Sequence, residues 1–175
     1  MTTVSQHQLE RGHEIVAALR RGGVTVTASL PDSWLGGLIE AAEATPGHTH
    51  LRVAREDDAV AVAAGAALMG TRSAVFAQNA GVLLSANILA ALAHHHQIPL
   101  VMVAADRGEP HDGFYYQAYK GQVTEDVVTA LGLTVHRIDS PDRHWLFERA
   151  SEQAWLQRRP VILLCPRATL QGGNS

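Results

Sequence analysis

Arg55-Glu56-Asp57-Asp58 is followed by Ala59-Val60-Ala61-Val62-Ala63-Ala64-Gly65-Ala66-Ala67-Leu68-Met69-Gly70, twelve residues without a charge. Acids suit the first turn of a helix, where the macrodipole is positive. The stretch therefore reads as a helix that opens on Glu56. Its apolar residues fall on all sides, which predicts burial on all sides. Small side chains let neighbouring backbones come close. A carboxylate at the mouth of such a helix has few routes to solvent.

The flanking sequence alternates between the periods of helix and strand. Gln6 to Arg21 has apolar residues at three- and four-residue spacing, and Gly22-Gly23 ends it. Val24 to Ala28 is a β-branched strand. Ser29 to Ser33 is a loop, and Ser33 to Ala44 a helix that Asp32 or Ser33 can cap. His50 to Val53 is the strand leading to Glu56. Beyond Gly70, Ser73 to Ala77 is a strand, Gln78-Asn79-Ala80-Gly81 a tight connection and Val82 to His95 a second apolar helix. Pro99 to Ala104 is a strand of the continuous apolar kind found in buried parallel sheets. Asp106 to Lys120 reads as a loop, Gly121 to Leu131 as a helix and Thr134 to Ile138 as a strand. Asp142 to Gln157 is a helix and Pro160 to Cys165 the last strand. Residues 1–170 read as one domain, and Gln171 to Ser175 as a disordered tail.

Six strands alternating with helices predict a three-layer α/β/α fold on a six-stranded parallel sheet. In such sheets ligands bind at the carboxyl ends of strands. Four polar clusters fall there: Leu30-Pro31-Asp32-Ser33, Arg55-Glu56, Gln78-Asn79-Ala80-Gly81 and Asp106-Arg107-Gly108-Glu109. No GxGxxG follows the first strand and no GxxxxGK[ST] is present, so dinucleotide and P-loop readings are disfavoured.

Composition narrows the function classes. The 175 residues are 46% apolar and 18% charged, with net charge -3. That balance, without a basic stripe, argues against nucleic acid. The lone Cys165 sits among aliphatic residues, as a buried core thiol does. Its solitude fits a reducing, cytoplasmic setting. Met1 to Glu14 has no apolar segment of a signal peptide. Ser73 to Ala105 lacks Asp, Glu, Lys and Arg, but polar residues and Pro99 interrupt it too often for a membrane span. His94-His95-His96 do not converge on a metal, since consecutive helical residues point about 100° apart.

A strand ending at a glutamate, a Gly-Ala helix, a strand and Gln-Asn-x-Gly together resemble the pyrimidine-binding (PYR) domain of thiamine-diphosphate enzymes. The pattern is most similar to sulfopyruvate and phosphonopyruvate decarboxylases. Pro31-Asp32-Ser33, Glu56-Asp57-Asp58 with Gly65-Ala66, Gln78-Asn79-Ala80-Gly81 and Arg107-Gly108-Glu109-Pro110 carry the resemblance, which covers roughly Gln6 to Pro166. Ala80 stands where that family has serine, and Val82-Leu83-Leu84 where it often has another glycine. The loop His111 to Tyr119 also departs from the pattern. These departures bear on the substrate more than on the cofactor.

The resemblance implies a thiamine-diphosphate-binding fold of the PYR type. It implies that Glu56 is catalytic, meeting N1′ of the cofactor's aminopyrimidine and promoting loss of the thiazolium C2 proton. A 2-oxo acid then loses carbon dioxide into the cofactor's electron sink. Gln78 and Asn79 are candidates for cofactor or substrate contact, or simply a polar turn. Asp32 is a helix cap or a substrate or proton-relay group. Arg107 would suit a sulfonate or phosphonate, or form an ordinary ion pair. His111, near Tyr115 and Tyr116, is a substrate-binding candidate in a loop that could be a lid, a subunit contact or a mobile stretch. The chain has no Gly-Asp-Gly, the motif by which the family's second (PP) domain holds Mg2+ and diphosphate. The resemblance therefore implies the α subunit of a split decarboxylase with a separate β subunit, in an α2β2 or larger assembly. A carboligase subunit and a non-catalytic scaffold of the same fold are the alternatives.

Overall fold

The computed structural model describes residues 4–110 and 112–172. Six strands form one parallel sheet in the order β2-β1-β3-β4-β6-β5. They are β1 (Val26–Ser29), β2 (Thr49–Arg52), β3 (Ser73–Gln78), β4 (Val101–Ala105), β5 (Thr134–Arg137) and β6 (Val161–Cys165). The three strands with continuous apolar runs, β3, β4 and β6, lie inside the sheet and are buried almost throughout. The mixed sequences of β2 and β5 lie at its edges.

Helices cover both faces. On one side are α1 (Gln6–Arg21), α2 (Gly36–Ala44), α7 (Leu146–Gln157) and α8 (Arg167–Gln171), packed on Ala74, Phe76, Val103 and Leu163. On the other are α3 (Glu56–Leu68), α4 (Asn79–Leu84) and α6 (Tyr115–Ala130), packed on Val75, Met102 and Ile162. Alternate residues of one strand thus feed two cores. The expected three-layer α/β/α architecture is the one found.

Local chemistry explains most boundaries. Ser5 and Gln8 form a reciprocal capping box at the start of α1. A side chain at Gly12 would collide with the Gly37 carbonyl, so this glycine lets α1 and α2 cross in backbone contact. Cys165 is fully buried, and burial, followed by the nearby Asp106 charge, pushes its thiol up.

Several boundaries differ from the sequence reading. Helix α2 starts at Gly36 rather than Ser33, because the Asp32 side chain instead accepts from Trp34 N (2.8 Å) and holds a preceding turn. Helix α6 starts at Tyr115 rather than Gly121; Gly121 is interior, where a Cβ would stand 2.5 Å from the Arg107 carbonyl. Helix α7 starts at Leu146 after a 3-10 turn, Pro141–Arg143. The apolar helix from Val82 is not continuous: α4 gives way at Ser85 to α5 (Ala86–Ile88) and a π-helical turn, Leu89–His94. Gln171 is not part of a loose tail but is buried at the end of α8; residues 173–175 lie outside the described part. Nor is α3 buried all round. Ala59, Val60, Ala63, Ala64 and Ala67 are enclosed, while Ala61, Gly65 and Leu68 face outward. No helix of the described residues is long and apolar enough to cross a membrane.

At the β1–β2 edge, Thr27 Oγ1 lies between His48 Nε2 (2.9 Å) and His50 Nδ1 (2.8 Å), and Ser29 Oγ meets His50 Nε2 at 3.0 Å. Burial first, then Arg20 and His50, lower the His48 pKa from 6.5 to about 4. The unfolded chain therefore takes up a proton that the folded chain refuses. This contribution to stability is whole above pH 6.5 and falls as pH drops from there to about 4. We expect the urea midpoint to decline over that window, and His48→Gln to flatten the decline.

Candidate active site

The four polar clusters meet at one edge. Strands β2, β1, β3 and β4 are consecutive in the sheet, so their carboxyl ends bring Glu56, Asp32, Gln78-Asn79 and Arg107 into one row. The chain turns to opposite sides at β1 and β3, which is where open α/β sheets form a crevice.

Glu56 is the first residue of α3 and is only 7% exposed. Its neighbours in sequence are not. Arg55 pairs with Asp57 (2.9 Å) on the surface, leaving the Glu56 carboxyl to turn inward. There it lies against Gly81: a Cβ on that glycine would stand 2.5 Å from Glu56 Cγ and 2.7 Å from Oε1. Gly81 thus makes the space in which the carboxyl sits. The sequence showed Gly81 only as part of a turn, because its partner comes from a different loop.

Asn79 is fully buried, and both ends of its amide are engaged. Its Nδ2 donates to the Arg107 carbonyl (2.7 Å), and its Oδ1 accepts from Ala80 N (3.1 Å). The side chain ties the β3–α4 turn to the loop after β4. Gln78 is half-buried, and its Oε1 accepts from Gln117 Nε2 at 2.9 Å.

Arg107 lies at the centre of an ion cluster and is 5% exposed. Its Nε and Nη2 donate to the two Asp112 oxygens (3.2 and 2.6 Å), and its Nη1 to Asp32 Oδ2 (3.2 Å). The guanidinium carbon is 4.7 Å from the Trp34 ring centre and 5.2 Å from that of Phe114. Burial alone would raise the Asp112 carboxyl's pKa, but bonds from Arg107 and Gly108 N (2.8 Å) outweigh it and lower it. In this arrangement Asp32 and Arg107 face each other across the end of β3. Asp112 had no sequence signal, since a lone Asp in a loop resembles any solvated acid. His111 lies outside the described residues.

A second pairing flanks the first. Arg137 of β5 reaches Asp106 and Glu125 (2.9 Å to the latter). Asp106 is buried, and that burial raises its pKa despite Arg137. Helix α8, absent from the sequence reading, supports the crevice too: Gln171 Nε2 donates to the Ser33 carbonyl at 3.0 Å.

Residues 10–130 match the family model of the thiamine pyrophosphate enzyme N-terminal TPP-binding domain. The chain belongs to this family. It is 29% identical over 134 residues to sulfopyruvate decarboxylase subunit alpha of Methanothermobacter thermautotrophicus, covering 77% of this chain and 81% of that one. The corresponding subunit of Methanocaldococcus jannaschii is 26% identical over 151 residues, covering 86% and 89%. Phosphonopyruvate decarboxylase of Streptomyces viridochromogenes is 36% identical over 116 residues, 66% of this chain but 29% of that longer protein. Among solved structures, a 2-oxoglutarate:ferredoxin oxidoreductase from Magnetococcus marinus shares the fold. Its TM-score is 0.75 at 18% identity, over 92% of this chain and 29% of that one.

The ion cluster has a measurable consequence. Removing one partner of a buried pair costs about 3–5 kcal/mol, because the other charge stays buried. We expect Arg107→Met to lower the free energy of unfolding in urea by about that amount. Arg107→Lys, which keeps the charge but not the fork, should lower it less.

Proposed function

We propose that this chain is the PYR (α) subunit of a split thiamine-diphosphate-dependent 2-oxo acid decarboxylase. The observation that carries the reading is the enclosed Glu56 carboxyl seated on Gly81 at the mouth of α3. The two sulfopyruvate decarboxylase alpha subunits match over most of their length and support a subunit of similar kind. The substrate we assign is an anionic 2-oxo acid of the sulfopyruvate or phosphonopyruvate class. The product is the corresponding aldehyde, with carbon dioxide released and a proton taken up.

The residues fit the cofactor. A carboxyl this enclosed is held in one place and shielded from competing water, as proton transfer at a ring nitrogen requires. Glu56 would hold the aminopyrimidine by exchanging a proton at N1′. Bound thiamine diphosphate would supply the electron sink for decarboxylation. Gln78, at the end of β3, borders the same crevice. In this reading a partner subunit would hold Mg2+ and the diphosphate.

A partner is also supported by surface chemistry. Ala61, Gly65 and Leu68 form an uncharged outward face on α3, and a Cβ on Gly65 would meet nothing within 4 Å. Tyr115, Tyr116 and Tyr119 are exposed at the start of α6. Apolar surfaces of this kind mark protein contacts.

Reconstitution tests the reading. The chain, mixed with a co-purifying subunit that bears Gly-Asp-Gly, should retain thiamine diphosphate and release carbon dioxide from sulfopyruvate or phosphonopyruvate. A complex that binds no cofactor would overturn the assignment. In an active complex, Glu56→Gln should lower turnover by at least ~100-fold. Gly81→Ala should have a similar effect with the carboxylate still present, since the new methyl displaces it; thermal unfolding would show whether the fold survives.

A further inference from the structure

The anion that this site receives meets an acidic crevice. Asp32, Asp112 and Glu56 lie along it, Arg107 is engaged by two of them, and a further cation nearby, Arg167, stands over the Trp34 ring at 5.8 Å on the side of β6. Burial, then the charges of Asp106 and Asp112, raise the Glu109 pKa against the opposing charges of Arg137 and Arg167. Asn79 is fully engaged as well. Of the two polar side chains at the end of β3, that leaves the Gln78 carboxamide.

Its orientation is set by Gln117. This residue is 3% exposed, and its Nε2 donates to Gln78 Oε1 at 2.9 Å. With the carbonyl of Gln78 engaged inward, its amino group is left to the half-buried mouth, where no described residue accepts from it. Two glycines fix where Gln117 stands. A Cβ on Gly108, whose φ is +99°, would lie 2.5 Å from the Gln117 carbonyl, and one on Gly121 would lie 2.5 Å from the Arg107 carbonyl. Helix α6 is thereby held by main-chain contact against the loop after β4.

Gln117 carries a penalty that a packing residue would avoid. Its own Oε1 is buried without a hydrogen-bond partner among the described residues. Methionine would fill similar space without stranding an acceptor. The residue therefore makes sense for what it does to Gln78 rather than for packing.

We propose that Gln117 is a positioning residue that holds the Gln78 carboxamide with its amino group outward, as the hydrogen-bond donor to an anionic oxygen of the substrate. The identity of that substrate rests on the function proposed above; the orientation of Gln78 does not.

The test has two arms. In the isotopically labelled full chain, side-chain amide exchange is measured by NMR. The Gln117 amino protons should exchange slowly and those of Gln78 fast; the reverse pattern would overturn the proposal even if the complex is an active decarboxylase. The second arm uses the reconstituted complex. Glutamate has no N–H and can only accept, so Gln117→Glu should draw the Gln78 amino group inward and turn its carbonyl toward the anion. KM for the 2-oxo acid should rise at least tenfold, with kcat within about threefold and the thermal midpoint near that of the unaltered chain. Gln117→Met, which only releases Gln78, should raise KM less. Unchanged KM in both variants, in a complex that turns over, would also overturn the proposal. If no 2-oxo acid is turned over at all, the proposed function falls, and the exchange pattern still decides how Gln78 is held.

Discussion

The arrangement of the crevice depends on the Arg107 guanidinium. Three loops, after β1, β3 and β4, have no reason of their own to stand together. Arg107 joins the first to the third through Asp32, and its carbonyl takes the second through Asn79. Asp112 closes the fork and also accepts from Gly108 N, so the loop after β4 is folded back on itself. An arginine can do this because its planar fork serves two carboxylates at once, where a lysine would serve them as a point charge. Trp34 and Phe114 at 4.7 and 5.2 Å add aromatic faces to the same cation. A cation so occupied is a poor candidate for capturing a mobile anion.

Glycine has an equivalent role in the steric design. Gly81 leaves the space that Glu56 occupies, Gly108 lets α6 approach, and Gly121 accepts the Arg107 carbonyl against the helix axis. Each is a contact between segments distant in sequence. Read locally, Gly121 resembles a helix boundary and Gly81 a turn residue. Their purpose becomes visible only when the second segment is in place. The same is true of Gly12, which brings α1 onto α2 and so secures the face of the sheet opposite Glu56.

Which features were legible in the sequence follows from how local their causes are. Continuous apolar runs at β3, β4 and β6 announced buried parallel strands, and the alternation of elements announced the layers. The enclosure of Glu56 was legible because a carboxylate that opens a small-residue helix has few routes to solvent. Asp112 and Gln117 were not, since their roles arise from partners five and thirty-nine residues away in a cluster that no periodicity records. Helix α8 escaped because five residues are too few to show a helical period, although its Gln171 holds the Ser33 carbonyl. The outward face of α3 escaped for another reason. Composition reports that a helix is apolar all round, but not whether this chain or another supplies the cover.

That last point bears on how α3 is used. A helix without charge between Ala59 and Gly70 is poorly suited to stand in water along Ala61, Gly65 and Leu68. The same helix begins with the enclosed carboxylate. Glu56, however, lies on the buried side of that helix with Ala59, Val60 and Ala63, away from the outward face. Its enclosure strengthens polar contacts around it, because charges interact more strongly as the local dielectric falls. Within this chain, Gly81 seats the Glu56 carboxyl, Gln117 holds the Gln78 carboxamide, and Arg107 joins the loops around them.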